Sequence, residues 1–477
     1  MSSEAVTYEN LRLSTYEVEH ITYLSLSKMA NDHGSLELIA ILTDDVADRY
    51  IYLTEELIPV KLSYIDEEDK EIILFQGLVT NLQVSKQGGV FYMQLAAKSN
   101  TCLMAIEQKS RSFQNIEMTT HQVINEVLSG YEQAAFIPQI PDEPIGALLI
   151  QYQETDWAFL KRLVSRYGAV MISEVRSEGI ACFAGVPEQE KPVAIESFQY
   201  TISKSIESYQ IMKKNDWAEV NEIEYIVFRV SNWRIFQVGD CIELDNKILY
   251  VEQAYHLLED GILKNDYVLK LKEGFKALKL YNVSIVGSSL SGTVAAVARD
   301  RIMVDLEIDV PGRACYWFPY STMSASPDGS GWYCMPEKGD NVRVYLPSKV
   351  EGEAYAISSI SGYQPSAGSD KTKDPMADPQ IKHLSTVYDK VISFAEEGIL
   401  INADSGQSAV FLGKDGTLSV YGASSINVTA EDTVAIKAKN DVVIGAVENV
   451  MIKNGKASIE LSRTGNIIMK GKKIYSN

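Results

Sequence analysis

The hydrophobic pattern of the chain keeps a period of two for most of its length, breaks to a helical period twice, and ends in a longer repeat. Up to about residue 110, runs such as Leu36–Leu42, Val60–Tyr64 and Ile72–Phe75 are rich in branched and aromatic residues. Asn31–Gly34, Asp66–Asp69 and Gly88–Gly89 punctuate them. Short strands at such spacing predict a β-barrel. From Thr119 the period lengthens: Val123, Ile124, Val127 and Leu128 share one helical face, with Thr119 or Thr120 as N-cap. A second helix is predicted from Asp156, with Trp157, Phe159, Leu160, Leu163 and Val164 apolar and an end near Gly168. Strands at 169–172 and 181–184 flank Gly179.

Residues 217–275 return to alternation. Phe236–Leu244 and Ile248–Val251 read as a hairpin around Asp245-Asn246, and Tyr255–Leu258 with Tyr267–Leu271 as another around Asp260-Gly261. This half resembles a second barrel. Five further strands are predicted at 292–295, 302–306, 314–318, 342–346 and 354–360, the count of an OB-type barrel. The composition then shifts at Gly362–Pro379, where Pro365, Gly368, Pro375 and Pro379 sit among Ser, Asp and Lys, as in a linker. Lead-in strands follow at Val391–Phe394, Ile399–Ala403 and Ala409–Leu412.

The last pattern has a period of eight. Leu418 and Val420, Ile426 and Val428, Val434 and Ile436, Val442 and Ile444, and Val450 and Ile452 each form an alternating pair followed by Gly422, Ala430, Ala438, Ala446 or Asn454. Alternation predicts strand, and a small residue every eighth position predicts a corner. Such self-similar units cannot bury their apolar face alone, so a stacked β-helix is expected. Eight-residue units can coil within one chain or be shared among several. The register slips by one residue after Asn454, at Ile459/Leu461 and Ile467/Met469.

Composition narrows the function. With 477 residues, 46% hydrophobic and 23% charged, the chain has room for about three globular domains. A net charge of −20 argues against a general nucleic-acid binder, which needs a basic face for phosphate. Cys102, Cys182, Cys241, Cys315 and Cys334 are odd in number and scattered, which predicts buried free thiols and assembly in a reducing cytosol. The sequence opens without a basic and apolar leader, so no signal peptide is expected. No apolar run nears the ~18 residues of a membrane span.

Three stretches resemble one family, the VgrG-type spike proteins of contractile injection systems, which look like a phage baseplate hub fused to its central spike. The first runs from Gln151 through Tyr152, Glu154, Asp156, Phe159 and Arg162 to Leu163 and is similar to the family's Q-Y-x-E-[TS]-D-x-x-F-x-x-R-L. The second is Lys98–Asn100 through Arg111–Asn115. The third, with Trp332, Pro336, Gly339 and Asp340, looks like the family's W-x-x-x-P-x-x-G-[DQ]-x-V-x-V.

The resemblance implies a mainly β homotrimer with a small α/β part. Residues 1–280 would be a hub of two β-barrels with an α/β insertion near 111–215, and 281–362 an OB-fold neck. Residues 363–379 would be a linker and 380–477 a triple-stranded β-helix needle. The implied partners are other copies of the chain, tail tube and baseplate proteins, a PAAR-like tip protein with an effector, and the target membrane on firing. Assembly would be cytoplasmic, followed by delivery outside the cell or into a target cell. The hub-spike of a tailed phage or tailocin is the sister reading. The sequence departs from the family at Lys349–Glu353, where G-D-P-x-x-P is frequent, so that loop is expected to differ. It ends soon after the repeat, so no appended toxin domain is expected.

Catalytic chemistry has little footing. A cell-wall hydrolase on the same scaffold is the rival of another class, but an inserted catalytic domain needs on the order of 100 residues, and only the linker is available. Glu55-Glu56, Glu67-Glu68 and Glu396-Glu397 are adjacent in sequence, whereas a glycosidase needs two carboxyls converging across a cleft. His20, His33, His121, His256 and His383 never fall at metal-ligand spacing. No catalytic, metal or cofactor site is therefore expected.

Overall fold

The computed structural model describes residues 5–43, 50, 58–189, 191–196, 199–363, 374 and 376–475. It divides into two compact units at Gly362/Tyr363. Most of the expected linker, and Glu55-Glu56, lie outside the described residues.

In the first unit a 12-stranded sheet runs through both halves of residues 5–275. Its path is Leu11–Leu13, Pro59–Ile65, Glu71–Gln87, Val90–Ser99, Ser35–Leu42, His20–Met29, Lys247–Glu259, Ile262–Lys270, Ile226–Asn232 and Tyr200–Lys204. The expected turns are where the alternation breaks. Asp245 and Asn246 both have positive φ, as do Asp260 and Gly261, the signature of two-residue turns whose twist suits a hairpin. The halves meet where His20–Met29 pairs antiparallel with Lys247–Glu259. Each keeps its own core: Leu24, Leu36, Leu38, Leu62, Phe75 and Met93 in one, and Ile242, Leu249, Val251, Tyr267 and Leu269 in the other.

Between them sits a small α/β part. Helix α1 (Thr120–Leu128) starts at the Thr119 capping box with Gln122, and α2 (Asp156–Ser165) at Thr155, whose hydroxyl accepts from Ala158 N. Both apolar stripes are buried against Phe113, Leu149 and Met171. A third helix, α3 (Ile206–Asn215), was not legible in the pattern, because only Met212 of it is buried.

Residues 289–360 form a five-stranded sheet ordered Trp317–Pro319, Arg301–Leu306, Ser289–Ala298, Asn341–Tyr345, Tyr355–Ile360. A parallel bridge between Tyr320 and Ala356 joins its two outer members. Leu290, Val294, Ile302, Val304, Phe318 and Val344 fill it.

The second unit holds two antiparallel meanders. One comprises Lys382–Ser385, Lys390–Ala395, Gly398–Ala403, Ser408–Gly413 and Leu418–Gly422, which contains the three expected lead-in strands. The other is Asn449–Asn454, Ala457–Ser462 and Ile467–Lys470. The octads between them differ from expectation: no strand is assigned from 423 to 448. An eight-residue unit offers no neighbouring strand within its own chain here, and an extended backbone without a partner has no ladder to join.

The cysteines depart from expectation in part. Cys102, Cys182 and Cys241 are buried, but Cys315 and Cys334 are exposed, and all five are free.

Candidate functional site: a buried polar joint and an exposed apolar row

The motif residues Gln151–Arg162 form a joint between the α/β part and the five-stranded sheet. Their strand, Leu149–Thr155, is buried on both faces over its first three residues. Leu148 and Ile150 enter the core of the five-stranded sheet, while Leu149 enters the core under α2. Tyr152 packs on the former, and its carbonyl accepts from Asn282 Nδ2 at 2.8 Å.

Asp156 begins α2 fully buried. It accepts from Lys109 Nζ at 2.8 Å, Tyr131 Oη at 2.6 Å, Gln151 Nε2 at 2.9 Å and Arg111 Nη2. Burial alone would raise its pKa. The hydrogen bonds from Lys109, Tyr131 and Gln151, with the Arg111 charge, outweigh that and hold it below the usual carboxylate range. Arg111 Nε also donates to Gln151 Oε1 at 2.8 Å, so the first two family stretches meet in space.

Six residues on, Arg162 is buried with two carboxylates. It donates to Glu154 Oε2 from Nη2 at 2.8 Å, to Glu351 Oε1 from Nη1 at 2.5 Å and to the Ile150 carbonyl at 2.9 Å. Phe159, the remaining position, stacks on Phe113 at 5.5 Å and lies under the Arg162 guanidinium. Further bonds cross the same joint. Asp309 accepts from Ser112 N at 2.6 Å and Ser112 Oγ at 2.5 Å, and Gln114 Nε2 donates to the Val304 carbonyl at 3.1 Å.

The third stretch lies apart from this group. Gly339, at φ 96°, and Asp340 make the turn into Asn341–Tyr345. Gly339 N donates to the Val294 carbonyl and Val294 N to the Asp340 carbonyl, both at 2.9 Å. Pro336 precedes that turn, and Trp332 is half exposed on a loop with Tyr333 and Met323.

Sequence reasoning missed Glu351, Lys109 and Tyr131. Glu351 lies in Lys349–Glu353, the loop where the sequence departs from the family pattern, and that departure was its one signal.

The repeat residues present the opposite situation. Leu418, Val420, Ile426, Val428, Val434, Ile436, Val442, Ile444 and Ile452 are 51–72% exposed, and Val450 is half-buried. In the five-stranded meander the strand register aligns Ile392, Ile401, Val410 and Val420, and beside them Phe394, Ile399, Leu412 and Leu418. Both rows lie on one face, since i and i+2 share a side. The three-stranded meander repeats this: Val450, Leu461 and Ile467 align, as do Ile452, Ile459 and Met469. The one-residue slip after Asn454 is thus absorbed by the Gly455-Lys456 turn, and the apolar face continues.

Glu396 and Glu397 both reach Lys414 Nζ, at 3.3 and 3.2 Å, on the surface. His33 is held by Thr101 Oγ1 at 2.8 Å against Trp157, and His121 faces Asp142. No group of three or more His, Cys, Asp or Glu converges as a metal site among the described residues. Among the described residues no helix is long and apolar enough to cross a membrane.

These features define a class. Residues 58–195 match the profile of the phage tail baseplate hub (GPD) family. In fold the chain is similar to the E. coli c3393 protein, described as a type VI secretion component structurally similar to T4 phage tail proteins gp27 and gp5. The TM-score is 0.54 at 12% identity, over 74% of this chain and 99% of that one. It is also similar to a chain of the Francisella PdpA-VgrG complex, with a TM-score of 0.53 at 8% identity, over 86% of this chain and 87% of that one. Comparison with curated proteins returns no match. The chain is a mainly β protein with the hub fold of VgrG-type spikes, as the sequence resemblance implied.

Proposed function

We propose that this chain is the structural hub and spike of a contractile injection machine, working as a homotrimer. The observation that carries this reading is the exposed apolar face of the second unit. Rows of Ile, Val, Leu and Phe in register across two meanders, followed through five octads, have no covering layer in one chain. Exposed apolar surface of this extent marks an interface. Three intertwined copies would bury these rows on a common axis and supply strand partners for 424–448, making a triple-stranded needle. At ~4.8 Å per shared layer, roughly eight octads would span about 40 Å.

The rest of the assignment follows from the first unit. The two halves of the 12-stranded sheet are read as two barrels, so that three chains present six to a tail tube. The strand order of 289–360, with its bridge between Tyr320 and Ala356, supports reading it as an OB-type barrel, the neck. Its joint to the α/β part, tied by Arg162 and Glu351, would carry thrust from hub to neck. Tail tube and baseplate proteins, and a tip protein bearing an effector, are the partners this role calls for.

Light scattering on the purified full chain should return three times the monomer mass, and negative-stain micrographs a threefold ring about a needle. A monodisperse monomer would overturn the reading. The match of residues 58–195 to phage baseplate hubs favours one second reading, the hub-spike of a tailed phage or tailocin. Neighbouring genes for capsid proteins would select it. A peptidoglycan zymogram addresses the hydrolase alternative, and clearing would refute a purely mechanical role.

A further inference from the structure

Net charge is not spread evenly. The chain carries −20, yet residues 449–475 hold six basic residues, Lys453, Lys456, Arg463, Lys470, Lys472 and Lys473, against one acidic residue, Glu460, a net of +5. The fold concentrates them further. Lys453 pairs with Ser458, and Ser458 with Lys470, so the two lysines flank one residue in a cross-strand row. Two strand spacings put them about 10 Å apart on one face. Lys456 lies in the turn that joins Asn449–Asn454 to Ala457–Ser462, at that same end of the meander. The third strand ends there at Lys470, and Gly471-Lys472-Lys473 follows. Five lysines, up to 20 positions apart in sequence, therefore gather at one end of a three-stranded sheet.

All five are exposed, and none forms an ion pair among the described residues. Arg463 sits at the other end, 2.9 Å from Glu448. Glu460 shares the lysine face but lies one row inward, opposite Met451 and Ile468. The apolar rows occupy the reverse face, so covering them leaves the lysines in water. Directly after Lys473 come Ile474 and Tyr475, 62% and 84% exposed.

We propose that this lysine end is a contact surface for an anionic phospholipid membrane. Exposed lysine heads beside exposed aliphatic and aromatic side chains suit a fluid headgroup layer, where cations meet phosphate and Ile and Tyr enter the interface. A structured acidic protein would instead call for cations held in place, and these five lack partners to hold them. The inference goes beyond the proposed function, and rests on it only in expecting several copies to act together.

The test is co-sedimentation of the full chain with vesicles of phosphatidylcholine alone or mixed with phosphatidylglycerol. The protein should pellet with the mixed vesicles only, and molar salt should release it, because the Debye length falls to about 3 Å. The Lys470→Glu/Lys472→Glu/Lys473→Glu variant should bind the mixed vesicles at least about 100-fold more weakly. An unchanged far-ultraviolet circular dichroism spectrum and unchanged mass by light scattering show that this variant is folded.

Equal binding to both vesicle types, or an unaffected triple variant, overturns the proposal. Displacement by millimolar phosphate at matched ionic strength would overturn it in favour of a discrete anion site. A protein that ignores all vesicles overturns it too and turns attention to an acidic protein partner. A monomer that binds anionic vesicles would sink the trimer and leave the lysine surface standing, and a trimer that ignores them would do the reverse.

Discussion

Arg162 Nη1 lies 2.5 Å from Glu351 Oε1, though 189 residues separate them along the chain. The contact ties α2 to the loop before the last strand of the five-stranded sheet, and Glu154 completes the charge on the other side of the guanidinium. Two carboxylates around one buried cation make its removal expensive and its geometry specific.

Arg162→Ala should therefore destabilise the first unit by about 3–5 kcal/mol, because Glu154 and Glu351 stay buried without their cation. Urea unfolding read by tryptophan fluorescence checks it, since all five tryptophans precede residue 363. Arg162→Met with Glu351→Met should cost less than either single change, the non-additivity expected of a direct pair. Additive losses would remove the pair from the account.

Asp156→Asn keeps the shape but leaves Lys109 and Arg111 facing a neutral group, and should cost roughly 3 kcal/mol. The wild-type carboxyl is held below its usual value, so its contribution is present above the unfolded pKa of ~3.9 and disappears as pH falls through the native one. Melting curves across pH 2–5 should show a shallower acid loss in the variant. Parallel curves would mean another carboxylate governs the acid limb.

Lys28 and His256 are buried where the two halves of the large sheet meet. Lys28 Nζ donates to Gln237 Oε1 at 2.8 Å, with Glu174, Arg176 and Asp240 nearby. His256 Nδ1 faces Asn265 Oδ1 at 2.8 Å, and its Nε2 has no partner among the described residues. Burial lowers Lys28 to about 7 and, with the Lys28 charge adding to it, His256 to about 3. The native state then binds fewer protons than the unfolded chain between pH 7 and 10.5 and between pH 3 and 6.5, so stability rises with pH through both windows. Lys28→Met should raise stability at pH 7 by ~2 kcal/mol and flatten the alkaline slope, as chemical denaturation at several pH values would report.

Val442→Asp would place three charges in one layer of an intertwined needle, at a cost of several kcal/mol. Loss of the trimer by light scattering is the expected outcome, with tryptophan emission of the first unit unchanged. A stable trimer carrying this substitution would refute the assignment of Val442 to the axis.

Much of the fold was legible because its periods are local. Alternation with Asp245-Asn246 and Asp260-Gly261 between runs located a hairpin meander, since those residues tolerate the positive φ that the turns require. The apolar faces announced α1 and α2, and the structure decides between the neighbouring cap candidates: Thr119 and Thr155 serve the free N–H groups of the first turns. Helix α3 escaped because it has almost no buried face to create a stripe.

The sequence by itself determined the alternating strands and the two capped helices, all set by contacts within a few residues. Only the tertiary structure decided that Asp156 gathers Lys109, Arg111, Tyr131 and Gln151, that Arg162 meets Glu351, and that Lys453 and Lys470 share a row. Charge pairing and strand pairing between distant segments leave no period along the chain, so residues 17 or 189 positions apart become neighbours only when strands and loops are in place.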